Sequence, residues 1–157
     1  MRRTGPIVAA AGAAVLAVAS LAGCGSSAAA DSSPAKISVS GAYIPLPASP
    51  AEGVAYFDIG NSGGSADRLV SVSSSSVQSA VLNQSTTTSM HTVAGVDVPA
   101  HGEAHLARGG THVMLMGITP APKVGQQIEL TLSFQHTGTV TVEATVQPMS
   151  YQPPTTK

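Results

Sequence analysis

Over residues 37–146 the apolar side chains recur at every second position in short runs, and no stretch of helical length repeats them every 3.6 residues. A two-residue period puts successive side chains on opposite sides of an extended chain, so each run buries one face and needs neighbouring strands to do it. The runs fall at 37–43, 52–59, 68–73, 77–82, 90–98 with a break at Gly95, 103–106, 111–116, 128–134 and 139–146. Turn formers separate them: Pro45, Pro47 and Pro50 in one loop, Gly60-Asn61-Ser62-Gly63-Gly64 in another, and Gln135-His136-Thr137-Gly138 at hairpin size. Many short strands at near-regular spacing predict an all-β fold, a Greek-key β-sandwich or barrel.

The chain ahead of the first run has a different character. Arg2 and Arg3 precede an apolar segment over 7–21, too short to span a bilayer core, and Leu21-Ala22-Gly23-Cys24 follows. This resembles the bacterial lipoprotein signal with its lipobox, which implies cleavage before Cys24 and acylation of that residue. The expected organisation is a signal peptide over 1–23, a flexible Gly/Ser/Ala tether over 24–36, a folded domain over 37–147 and a disordered tail over 148–157. The protein would then be exported and lipid-anchored to the outer face of the cell membrane. Each buried acyl methylene contributes about 0.8 kcal/mol to that anchorage. Cys24 is the one cysteine, so no intramolecular disulfide forms and lipidation removes the thiol from metal chemistry.

Composition excludes several function classes. Charged residues are 10% of the chain and the formal net charge is −1, which leaves no basic surface for nucleic acid. Aromatics are 3% with no Trp, so a base- or sugar-stacking platform has little to be built from. The eight carboxylates are too dispersed to nominate an acid/base pair, so the chain is not read as an enzyme.

What remains is Gly109-Gly110-Thr111-His112-Val113-Met114-Leu115-Met116-Gly117. On a strand His112, Met114 and Met116 share one face, with Val113 and Leu115 on the other. Thioethers are soft donors and imidazole a borderline one, a set that selects Cu(I) over hard cations. The plainer reading is a strand whose methionines fill a core and whose histidine satisfies a hydrogen bond. Met116 is a spare thioether at most, and a core or rim position describes it better. His101, His105 and His136 read as solvated surface histidines, Met149 as part of the tail, and Asp67 with Arg68 as a turn or surface ion pair.

Asn61 to Val70, the Val98-Pro99-Ala100 turn, 109–117, and Gly125 through Phe134 to Gly138 together resemble the periplasmic copper chaperones of the PCuAC type. Twenty-one residues separate Met90 from His112, and one separates His112 from Met114, as in that family's ligand motif. The resemblance implies a cupredoxin-like fold and Cu(I) bound through Met90, His112 and Met114. It also implies delivery to a cuproprotein acceptor, the copper-centre subunit of cytochrome c oxidase or another copper chaperone. Where the family places a further His, this chain has Val81-Leu82-Asn83-Gln84, then only hydroxyl side chains over 85–89. His91 is the candidate fourth ligand, although a regular strand turns it away from Met90 unless a bulge intervenes. The alternatives are a three-coordinate site, or a protein-interaction module that holds no metal.

Overall fold

The computed structural model describes residues 32–154. The expected signal peptide, Cys24, the tether as far as residue 31, and residues 155–157 lie outside the described residues. Ten strands follow in order, with no helix among the described residues: β1 (Ile37–Pro45), β2 (Glu52–Asn61), β3 (Asp67–Ser73), β4 (Val77–Ser85), β5 (Met90–Thr92), β6 (Val96–Val98), β7 (Gly102–Leu106), β8 (Thr111–Ile118), β9 (Gln127–Phe134) and β10 (Gly138–Gln147).

The alternation in the sequence is the alternation in burial. β2 buries Gly53, Ala55, Phe57, Ile59 and Asn61, and β9 buries Ile128, Leu130, Leu132 and Phe134, with the intervening residues more exposed. The apolar side chains among them meet Ile44, Leu69, Leu106, Leu115 and Val146 in one core. Each large side chain so enclosed contributes roughly 1.5–3 kcal/mol.

The strand order is β5-β4-β8-β2-β1-β10-β9-β3-β6, with β7 also on β2. Only β1 and β10 run parallel among these pairs. β2 closes the curl: its Glu52–Ala55 half pairs with β8 and its 57–61 half with β7. The result is a curled mixed sheet, the all-β half-barrel of a cupredoxin-like fold. In β1 the register with β2 slips between Ser40 and Tyr43, where Gly41 adopts φ 63°, a conformation that a side chain would strain. Beyond this bulge Tyr43 pairs directly with Tyr56, their rings 5.3 Å apart.

Two expectations are corrected. Asp67 and Arg68 form no surface pair. Asp67 is buried, and its carboxylate accepts hydrogen bonds from the amides of Arg68 (2.7 Å), His136 (3.0 Å) and Thr137 (2.8 Å), and from the Thr137 hydroxyl (2.5 Å). Arg68 instead pairs with Asp97 across the β3–β6 ladder. Burial raises the Asp67 pKa, and the bonds from Thr137, Arg68 and His136 more than reverse that, holding it below the ordinary carboxylate value. The second correction concerns the tail, which is seated rather than frayed as far as Tyr151. The Tyr151 ring meets Tyr43 edge-on at 5.1 Å, and Arg108 Nη2 donates to the carbonyls of Met149 (3.1 Å) and Tyr151 (3.3 Å).

Candidate metal centre

β8 lies between β4 and β2, so its outward face is fixed by register on both sides. Asn83 stands opposite His112, Val81 opposite Met114 and Ser79 opposite Met116. On the other flank Val54 faces Met114 and Glu52 faces Met116. The next residue of β2 toward His112 is Tyr56, whose ring lies 6.5 Å from the imidazole. Paired residues share a face, so Asn83, His112, Met114 and Met116 lie together, while Val113 and Leu115 are fully enclosed in the core behind them. The face division read from the sequence of β8 is the one observed.

His112 is buried, 6% exposed, and its Nδ1 is 3.0 Å from the carbonyl oxygen of Gly110. A carbonyl only accepts, so Nδ1 carries a proton and Nε2 is the ring nitrogen left to offer a lone pair. Among the described residues Nε2 has no hydrogen-bond partner. An imidazole oriented through one nitrogen with the other free is the arrangement in which histidine binds metals. Tyr56 forms the wall beyond it, with the Arg108 guanidinium 6.0 Å from its ring centroid. Burial raises the Tyr56 pKa, partly offset by Arg108, so the phenol stays protonated at neutral pH.

Met90 reaches this face from the far side of β4. β4 and β5 form a hairpin in which Ser85 pairs with Met90, Gln84 with His91 and Asn83 with Thr92. The hydroxyl-rich connection bonds to itself: the Thr86 amide donates to the Ser89 carbonyl at 2.7 Å, and the Ser89 amide to Thr86 Oγ1 at 3.1 Å. Thr92 and Met90 thus lie on the Asn83 side, with Met90 53% exposed at the sheet edge. Two interstrand spacings, about 10 Å between Cα atoms, separate β5 from β8. The hairpin register has no bulge, so His91 projects to the opposite face with Gln84. The structure therefore brings together His112, Met114 and Met116, sets Met90 across from them, and does not bring His91 to the group.

Asn83, which stands where the resembled family places a further His, lies between these residues. Asn83 is buried, 6% exposed; its Nδ2 lies 3.8 Å from Met114 Sδ as a donor, and its Oδ1 accepts from Thr92 Oγ1 at 3.0 Å. No alternation pattern reports which residue of β4 faces His112. Among the described residues no three His, Cys, Asp or Glu side chains are grouped to hold a metal, so a centre on this face depends on methionine sulfur. The other histidines lie elsewhere: His105 pairs through Nδ1 with Asp58 at 2.8 Å, and His101 and His136 are exposed.

The fold is cupredoxin-like and is similar to that of PCuAC domains of solved structure. The structure "Copper-bound PCuAC domain from PmoF2" superposes with a TM-score of 0.63 at 27% identity, covering 73% of this chain and 95% of that one. "Solution structure of CuI-DR1885 from Deinococcus Radiodurans" superposes with a TM-score of 0.58 at 28% identity, covering 77% of this chain and 83% of that one. Residues 37–146 match the family described as "Putative lipoprotein LpqE-like", and the chain belongs to that family. "Putative lipoprotein Lxx21020" of Leifsonia xyli subsp. xyli is 34% identical over 101 residues, 61% of this chain and 61% of that protein's length.

Proposed function

We propose that this lipoprotein is an extracytoplasmic copper(I) chaperone, anchored through Cys24 to the outer face of the cell membrane. It holds one ion through Met90, His112 and Met114. The observation that carries the reading is His112: Nδ1 is tied to Gly110, Nε2 has no hydrogen-bond partner among the described residues, and Met114 follows on the same face. The copper named for the PmoF2 and DR1885 domains supports copper as the ion. His112 and Met114 supply the inner donors and Met90 swings in from the exposed hairpin. The work is ligand exchange rather than catalysis. An ion held by thioethers at a surface passes to an acceptor with stronger ligands, and membrane tethering keeps donor and acceptor in one thin layer. The acceptor is a cuproprotein, with the copper-centre subunit of cytochrome c oxidase the first to test and another copper chaperone the second. Thioethers have no proton to gain, so sulfur coordination persists in mild acid where imidazole fails.

A second reading is a protein-interaction module that holds no metal, favoured by Asn83 standing beside His112 and by its bond to Met114. Titration of the full chain with Cu(I), in detergent and against a chromophoric chelator under anaerobic reducing conditions, separates the two. One ion per chain, lost in both His112→Ala and Met114→Ile with the fold intact, is the expected result. Unchanged affinity in both variants would sink the site, and no competition by the wild type would leave the module reading.

A further inference from the structure

Asn83 occupies the middle of the donor set. It stands on β4 between Thr92 and His112, in register with both, and is all but closed to solvent. Its amide is used at both ends, Oδ1 accepting from Thr92 Oγ1 at 3.0 Å and Nδ2 approaching Met114 Sδ at 3.8 Å. The Thr92 hydroxyl decides which way the amide points: with Oδ1 turned to that donor, the NH2 group is aimed at sulfur.

We infer that Asn83 is a positioning residue that holds the Met114 thioether through an N–H···S bond and weakens its grip on Cu(I). This rests on the copper reading above. Thioether sulfur binds metal through a lone pair, and a proton donor on that sulfur draws on the same electron density. When Cu(I) arrives, the amide either withdraws, losing its partner in a buried place, or stays and leaves sulfur the poorer donor. Both routes stabilise the metal-free protein relative to the loaded one. An amide in this position suits a protein that hands its ion on, because it lowers affinity while keeping Met114 in a fixed rotamer near His112.

The test uses the full-length protein in detergent, labelled with 13C at the methionine methyls. In Asn83→Leu, which keeps the branched shape at slightly greater bulk and removes the amide, the Met114 methyl resonance of the metal-free protein is expected to shift while that of Met116 stays in place. Cu(I) affinity is expected to rise about two- to tenfold, the range of one neutral hydrogen bond. Thr92→Val, which frees the amide without touching β4, is expected to move both readouts the same way by less. An unmoved Met114 methyl in both variants overturns the inference. So does a fall in affinity in Asn83→Leu, which would make the amide oxygen a copper ligand. Should the wild type not bind Cu(I), the copper reading fails by itself, while the methyl shift still decides whether the amide holds the sulfur.

Discussion

Replacing Asp67 by Asn isolates what one buried carboxylate contributes to joining β3 to the β9–β10 hairpin. The carboxylate has four donors, two on each oxygen: the amides of Arg68 and His136 on Oδ1, and the amide and hydroxyl of Thr137 on Oδ2. Asparagine keeps an acceptor for the first pair but turns an NH2 toward the second. The Thr137 hydroxyl can rotate to accept from it, whereas the Thr137 amide cannot. Hydrogen bonds to a charged group contribute about 1.5–3 kcal/mol each, so losing one outright and weakening the rest should cost about 2–3 kcal/mol at pH 7. For a domain of this size that corresponds to a Tm lower by about 10 °C. The folded-state pKa is held below the ordinary 3.8, so the contribution is complete above that value and is lost as pH falls through the folded-state value. Asn does not titrate. Urea unfolding of both proteins from neutral pH down to about pH 2.5 should therefore show the stability gap closing on acidification. A gap under about 1 kcal/mol at pH 7, or one equally wide in acid, would refute the reasoning.

Two further outcomes follow from the geometry. A Cβ on Gly63 would lie 2.0 Å from the Pro34 carbonyl oxygen and 2.7 Å from the Lys36 amide nitrogen, so Gly63→Ala must push the 34–36 segment off the turn. A loss of roughly 1–3 kcal/mol is expected in denaturant unfolding, with faster exchange at the Ser62 amide that bonds to Lys36; an unchanged amide would show that the segment is not held there. Met116→Leu conserves volume and should leave Cu(I) affinity unchanged in the chelator competition, with under about 1.5 kcal/mol of destabilisation. A tenfold weaker hold would instead make Met116 a ligand.

The strands were legible in the sequence because nearly all of them bury one face; β5 is exposed throughout, and the pause at Gly95 is what separates it from β6. The division of β8 into a His/Met face and a core face was legible for the same reason. Register was not. Period-2 alternation states which face a residue takes, but not which residue of the next strand it meets, so the placement of Asn83 against His112 could not be read in advance. Asp67 escaped because its partners lie 69 and 70 positions away, and the pairing of Arg68 with Asp97 likewise spans 29. The tail misled through composition. Pro148 to Lys157 is polar and proline-bearing, yet Tyr151 finds a ring to meet and Arg108 fastens the carbonyls beside it.

The chain has three tyrosines and no tryptophan, and Tyr151, Tyr43 and Tyr56 stand in a row that ends at His112. Its tyrosine emission therefore originates at one corner of the molecule, against the imidazole. Energy passes readily between rings 5.1 and 5.3 Å apart, so whatever quenches Tyr56 darkens its two neighbours as well. The protein carries an intrinsic optical gauge of events at His112, one that needs no label.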